Sequence, residues 1–128
     1  MRIILLITSF FLTATICGQS KVLTGKIIRE DFARVALATI LTSDTVILTT
    51  TDINGDLVIK VPIGTKDFQI SHPNYKPTRI FLNQNCNNIE IILLFYHSKT
   101  RIKKIPKLHK LAFNKNIFEA KKPCFKYK

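Results

Sequence analysis

The C-terminal quarter of this chain is almost without acidic residues. Of the eight Asp and Glu in 128 residues, seven lie between Gln19 and Tyr96, where eight Lys and Arg nearly balance them. From His97 to Lys128 there are eleven Lys and Arg against Glu119 alone. The formal net charge of +12 therefore belongs mostly to a tail, and the tail needs an explanation separate from that of the preceding residues.

The sequence also lacks an apolar run long enough for a comfortable transmembrane helix, which needs roughly 20 residues. The run from Ile3 to Ile16 is shorter, is interrupted by hydroxyl residues, and follows a short positive start at Met1-Arg2. This pattern predicts a cleaved secretory signal peptide over residues 1–18. An uncleaved anchor or a lipoprotein lipidated at Cys17 is the alternative, although Ile16 stands where a lipobox has a small residue.

Export changes what the basic charge implies. Nucleic acid is a poor partner for a protein that leaves the cytoplasm, so we expect no nucleic-acid partner. The better candidates are polyanionic surfaces of the cell envelope or an envelope protein of unidentified kind. We place the mature protein in the periplasm, on the outer-membrane surface or outside the cell.

Cysteine is scarce, with three in the chain. Cys17 would leave with the signal peptide, so Cys86 and Cys124 remain. An oxidising compartment would let these two pair. Nothing in the sequence fixes the distance between them, so two free thiols are the alternative.

Between residues 19 and 96, short β-prone runs are separated by turn residues. Such spacing is typical of an antiparallel sandwich or barrel, and it predicts an all-β domain of seven strands. The consecutive apolar residues Ile91 to Phe95 indicate a strand buried on both faces and central in its sheet, whereas Asp56 to Val61 alternates as a half-exposed strand does. The seven runs cover residues 21–29, 35–41, 45–51, 56–61, 67–71, 78–82 and 88–95.

Two turns carry the strongest local signals. Asn54-Gly55 lies between two β-prone runs, and it predicts a tight hairpin in which both residues take a positive φ while Asp52 caps the turn. Pro73-Asn74-Tyr75 predicts a second corner, with Tyr75 as a packing residue. We assign these six residues to turn structure: Asp52, Asn54, Gly55, Pro73, Asn74 and Tyr75.

The oxygen donors of Asp52, Asn54 and Asp56 also suggest a calcium loop, and a calcium-binding module is kept as an alternative function. A full loop needs a bidentate acid about seven residues beyond the opening donors, where Ile63-Gly64 stands instead. We therefore assign no metal ligand.

No catalytic set is predicted. Ser71 and His72, with Asp67 nearby, have the residue types of a hydrolase, but adjacent strand residues point to opposite faces and cannot converge in one pocket. His97 and His109 show no spacing typical of zinc sites. We expect a protein that is not an enzyme and that has no cofactor.

The order of these segments resembles the carboxypeptidase regulatory-like domain, in the form common in exported proteins of the Bacteroidetes. The resemblance implies a seven-stranded, transthyretin-like (prealbumin-like) sandwich over about residues 21–95. It also implies an accessory role, since such domains occur beside peptidase domains and at the front of TonB-dependent outer-membrane receptors. The segments that carry the resemblance are Gly25 to Ile28, Val35 to Ile40, Thr51 to Gly55, Val61-Pro62, Ile70 to Tyr75 and Ile89 to Leu93.

The tail, residues 97–128, lies outside this resemblance. Ile102, Ile105, Leu108, Leu111 and Ala112 recur at roughly helical spacing with cations between them, which is typical of a basic helix on an anionic membrane. Pro106 falls inside the pattern and is expected to break or kink a helix. A disordered basic extension, or a stub whose relatives continue into a larger domain, are the alternatives.

We therefore predict three segments: a signal peptide at 1–18, a carboxypeptidase regulatory-like sandwich at 19–96 and a basic tail at 97–128. The expected function is that of a non-catalytic, exported accessory or interaction module. The alternative is binding of an anionic membrane or polyanion by the tail, with the contacts assigned to Arg101, Lys103, Lys104, Lys107 and Lys110.

Overall fold

The computed structural model describes residues 18–42, 44–83 and 85–128. Of the predicted signal peptide only Gly18 lies within these ranges, so that prediction stays a prediction. The strands are β1 (Ser20–Arg29), β2 (Thr39–Leu41), β3 (Ile47–Thr50), β4 (Asp56–Pro62), β5 (Asp67–Ser71), β6 (Thr78–Leu82), β7 (Asn88–Leu93) and β8 (Phe125–Tyr127). A 3₁₀ turn (Ile102–Lys104) and helix α1 (Ile105–Asn114) lie between β7 and β8.

The strands form two sheets. The first sheet has the order β4-β1-β7, and the second has the order β3-β2-β5-β6-β8. The two sheets agree with the predicted β-sandwich, but two details differ. The described residues contain eight strands where seven were predicted, because the tail supplies β8. The sandwich is also not wholly antiparallel, since β1 and β7 run parallel.

The second predicted strand is much shorter than the pattern suggested, because residues 35–38 cross from the first sheet to the second. Val35 donates its N–H to the Ile27 carbonyl of β1, while the Ala38 carbonyl accepts from Thr51 beside β3. The Thr51 hydroxyl is buried in the crossing, donating to the Val35 carbonyl at 2.8 Å and accepting from the Ala38 N–H at 3.0 Å. These hydrogen bonds satisfy the backbone polar groups of the crossing segment, which is not a strand of either sheet.

The turn between β3 and β4 is a three-residue loop closed by the Asp52 N–H, which donates to the Asp56 carbonyl at 3.0 Å. It is not the predicted hairpin, because β3 belongs to the second sheet and β4 to the first, and the two strands do not pair. Gly55 donates to the Asp52 carbonyl at 3.1 Å and has a φ of +74°, whereas Asn54 is absent from the positive-φ residues, contrary to expectation. Such loops need a positive φ only at the residue after the turn. A Cβ at Gly55 would also stand 2.6 Å from the Ile27 carbonyl, so the position requires glycine for space as well.

The main core lies between the two sheets, and a second core lies outside the first sheet. Alternate residues of β7 face each: Ile89, Ile91 and Leu93 point into the main core, while Ile92 packs into the second. The strand is therefore buried on both faces as predicted, but it is the end strand of its sheet and not a central one. Its outer face is covered by residues that the sequence placed in a tail.

Candidate interaction surface

Residues 97–128, called here the C-terminal layer, begin at a carboxylate anchor. Glu30, just after β1, accepts hydrogen bonds from the Phe95 N–H at 3.1 Å and from the Ser98 hydroxyl at 2.8 Å. Burial by itself raises the pKa of Glu30, but hydrogen bonds from Thr100, Ser98 and Phe95 outweigh it and hold that pKa below its ordinary value. The ionised anchor fixes where the layer leaves β7.

Helix α1 packs an apolar stripe onto the first sheet. Ile105 and Ala112 are buried, Leu108 is half-buried, and they meet Ile28 and Ile92 in the second core. Pro106 does not break the helix, because it occupies the first turn, where its missing N–H would have had no intrahelical acceptor. Of the residues in the predicted stripe, Ile102 and Leu111 are about half exposed.

A buried histidine completes this stripe. His109 is 1% exposed, and its Nε2 lies 2.7 Å from the Tyr127 hydroxyl, which also accepts the Ile92 N–H at 2.9 Å. Burial lowers the pKa of His109 to about 4, so the imidazole is neutral at pH 7. Burial also raises the pKa of Tyr127. The three groups join α1, β8 and the free side of β7.

The far end of the layer is held by a second carboxylate and by a disulfide. Glu90 accepts the backbone N–H groups of Glu119 at 2.8 Å and Ala120 at 3.0 Å. Burial raises the pKa of Glu90, and these two bonds partly oppose the shift. Cys124 forms a disulfide with Cys86 in the loop before β7. The residues from 97 onward are therefore part of the fold and not an extension of it.

The five predicted surface contacts are all exposed. Six further cations of the layer are exposed with them, and none of the eleven has a carboxylate within 4.0 Å among the described residues. The ion pairs that do occur, Arg29–Asp31 and Arg79–Asp67, lie on the sandwich. The predicted contacts are Arg101, Lys103, Lys104, Lys107 and Lys110; the further cations are Lys99, Lys115, Lys121, Lys122, Lys126 and Lys128.

Several of these cations stand where the helix dipole disfavours them. Lys104 is the N-cap residue of α1 and makes no capping hydrogen bond, and the first turn contains Lys107 but no acidic residue. The N-terminus of a helix carries partial positive charge, so a cation there costs a few tenths of a kcal/mol to about 1 kcal/mol. Helix stability therefore does not account for where these lysines lie.

The predicted turn residues lie on the sandwich, at the end where β1 finishes. One oxygen of Asp52 accepts the N–H groups of Asn54 at 2.8 Å and Asp56 at 2.9 Å, while the Asn54 side chain accepts from Arg34 at 3.2 Å. Across the described ranges no three His, Cys, Asp or Glu side chains gather as metal ligands would. This Asp52 oxygen therefore serves the turn itself, and the calcium alternative stays a hypothesis.

The second corner packs as the sequence indicates. Tyr75 is 8% exposed, and its ring stacks on Phe95 at a centroid distance of 5.6 Å. In the same corner His72 accepts the Asn74 N–H through Nδ1 at 3.1 Å. Asp67, at the other end of β5, forms an ion pair with Arg79. His72 therefore bonds within the turn, and Asp67 pairs with Arg79 of the neighbouring strand β6.

A groove of about 300 Å³ runs along the part of the first sheet that α1 leaves open. Lys26, Asp56, Glu90 and Glu119 contribute charged groups to it. The Glu90 carboxylate in this groove accepts two backbone N–H groups, and these hydrogen bonds compensate for its burial.

Sequence reasoning missed the residues that attach the layer: Glu30, Glu90, His109 and Tyr127. One signal was available for His109, since it stands four residues after Ile105 and three before Ala112, on the same helical face. Glu90 gave a weaker signal as the single charged residue in an apolar strand. Nothing local marked Tyr127.

No protein-family model matches this chain, and neither does any curated protein. Within the described ranges, no helix is long and apolar enough to cross a bilayer.

Proposed function

We propose that this protein is a non-catalytic, exported binding module of the cell envelope, and that it binds anionic surfaces through its C-terminal layer. The sandwich serves as the rigid support of that layer. The resemblance to carboxypeptidase regulatory-like domains, which are accessory modules, supports the same role. The Cys86–Cys124 disulfide supports an exported location, because such bonds persist in oxidising compartments.

One observation carries the proposal: the folded segment 97–128 exposes eleven cations, and none of them has a carboxylate of the described residues within 4.0 Å. Ordered cations lose less conformational freedom on binding than cations on a disordered tail, so more of their attraction appears as affinity. Each Lys or Arg near an anionic membrane surface contributes about 1 kcal/mol, and the attraction falls off within a Debye length.

Charge reversal on α1 tests the proposal without removing the layer from the fold. Lys107 and Lys110 are exposed, and Lys107 lies in the first helical turn, where a glutamate is favoured by the helix dipole. We expect Lys107→Glu/Lys110→Glu to weaken binding to vesicles of 30% phosphatidylglycerol in phosphatidylcholine by about 30-fold or more at low salt. Co-sedimentation across a salt series measures the change.

The matched control reverses two exposed lysines of the sandwich, Lys60→Glu/Lys66→Glu, which alters the net charge by the same amount. This variant is expected to keep most of the wild-type affinity. Equal losses in both variants would show that only total charge matters, and binding that ignores salt would contradict the proposal. Circular dichroism of both variants checks that α1 remains folded.

A further inference from the structure

Two adjoining cavities lie where the C-terminal layer meets the end of β7 and the start of β6. The smaller cavity, of about 90 Å³, is lined mainly by Leu94, Ile105 and Tyr127. The larger one, of about 380 Å³, is open and runs along residues 98–103. Leu94 and Ile102 line both cavities, which are called here together the α1 groove.

The smaller cavity is apolar and short. Leu94 and Ile105 are buried and belong to the second core, whereas Ile102 is 50% exposed. An apolar cavity of about 150 Å³ holds benzene. A cavity of about 90 Å³ therefore fits a smaller group, such as a short aliphatic side chain, and is too small for a long acyl chain.

The larger cavity is strongly cationic. No carboxylate of the described residues lines either cavity. Glu30 accepts a hydrogen bond from Ser98, which does line the groove, but one carboxylate leaves the groove with an excess of positive charge. The groove on the first sheet differs, since three carboxylates line it. The cations that line the larger cavity are Lys76, Lys99, Arg101 and Lys103.

These cations complement a chain that carries several carboxylates. Lys76 is half-buried, and its ammonium donates to the Ser98 carbonyl at 3.1 Å, which fixes one charge at the wall of the groove. Lys99, Arg101 and Lys103 are exposed and follow one another along the same wall. An apolar recess bordered by cations matches an aliphatic side chain flanked by acidic residues in both shape and charge.

We propose that the α1 groove binds an acidic peptide segment of a partner protein, with one aliphatic side chain in the smaller cavity and carboxylates on the cations around it. This goes beyond the proposed function, because the ligand is a single chain recognised by its sequence and not an extended anionic surface. Neither Lys107 nor Lys110 lines the groove, so the two activities can be separated by substitution.

The first test compares two fluorescein-labelled peptides on the full mature chain. Both have the sequence Asp-Glu-X-Glu-Asp, with leucine or serine as the central residue. We expect the leucine peptide to bind about tenfold or more tightly, because the smaller cavity removes its side chain from water. Fluorescence polarisation measures both affinities, and equal values for the two peptides would overturn the proposal.

The second test uses matched variants of the protein. Ile102→Ser and Leu111→Ser truncate side chains that are 50% and 48% exposed, and only Ile102 lines the groove. We expect Ile102→Ser to weaken the leucine peptide about fivefold or more and to leave the serine peptide unchanged. Leu111→Ser should match the wild type with both peptides.

Charge is tested in the same way. Arg101→Glu/Lys103→Glu should weaken both peptides about tenfold or more at low salt. Lys107→Glu/Lys110→Glu changes the net charge by the same amount outside the groove and should cost much less. Circular dichroism checks that every variant is folded, and equal losses within either matched pair would contradict the site.

The outcomes separate this site from the proposed function. If the wild type binds phosphatidylglycerol vesicles but not the leucine peptide, the peptide site is overturned and anionic-surface binding stands. If it binds the leucine peptide but neither vesicles nor heparin, a soluble polyanion, the reverse holds. If Ile102→Ser weakens vesicle binding while the wild type binds neither peptide, the groove takes a lipid and the peptide assignment is wrong.

Discussion

His109 shows how one residue can set the pH range in which the C-terminal layer is stable. The imidazole is buried against Phe118, Phe125 and Tyr127, and no carboxylate of the described residues offsets a charge on it. Its folded-state pKa of about 4 lies below the ordinary 6.5, so folding favours the neutral form. The stability that it contributes is full above pH 6.5 and is lost as the pH falls towards 4.

We expect the free energy of unfolding to fall by about 3 kcal/mol between pH 7 and pH 4 through this residue. The lowered pKa of Glu30 also makes the protein less stable as the pH falls below the ordinary pKa of a glutamate. The raised pKa of Glu90 has the opposite effect on stability. Urea titrations at several pH values measure the slope. His109→Gln should flatten it, and exposed His97→Gln should not; a wild-type slope in His109→Gln would contradict the assignment.

At the scale of elements, β8 is a short strand that the Cys86–Cys124 disulfide ties to the loop before β7. It has three residues, pairs with β6 alone among the described strands, and begins directly after Cys124. The disulfide spans 38 residues, and closing a loop of that size in the unfolded chain stabilises the fold by about 4 kcal/mol in the entropic model. The short strand therefore depends on the cysteine pair.

Replacing both cysteines, Cys86→Ser/Cys124→Ser, should lower stability by about that amount, and amide exchange should rise first over Phe125–Tyr127. Dithiothreitol should bring the wild type to the same stability and leave the variant unchanged. Indifference of the wild-type protein to the reductant would show that the bond does not support β8. Loss of β8 would also loosen α1, because the Tyr127 hydroxyl is hydrogen-bonded both to His109 of α1 and to the Ile92 N–H of β7.

For the whole molecule, the boundary predicted at residue 96 does not separate two independent parts. Without residues 97–128 the side chains of Ile28, Ile92 and Leu94 lose their cover, and Phe125 leaves the main core. Exposing three buried aliphatic side chains costs about 5 kcal/mol or more, which is comparable with the total stability of a small domain.

We therefore expect residues 19–96 alone to lack a cooperative melting transition and to bind a hydrophobic dye. Full-length Lys107→Glu/Lys110→Glu, which keeps the layer, should melt near the wild-type temperature. A truncated domain that melts cooperatively within a few degrees of the full chain would contradict this account. For the same reason deletion of the layer cannot test its function, whereas charge reversal can.

The local patterns of the chain predicted its β character well, because they depend on neighbours in sequence. The alternation of Asp56–Pro62 places every second residue in the core, and Gly55 takes the positive φ that its turn requires. The charge asymmetry that defines the candidate surface was also visible at once. Periodicity did not identify the element that packs on each face. The apolar run of β7 predicted a buried strand but not whether a strand, a sheet or a helix covers it.

The sequence by itself determined a β-rich chain with its cations gathered at one end, since turn chemistry, strand alternation and charge are local properties. Tertiary structure alone decided that the cationic end is a structural layer, with Tyr127, Glu90 and the cysteine pair meeting partners 29 to 38 residues away. Contacts over such separations depend on how the sheets stack, and no local pattern records them. Folding therefore turns a basic tail into an ordered surface.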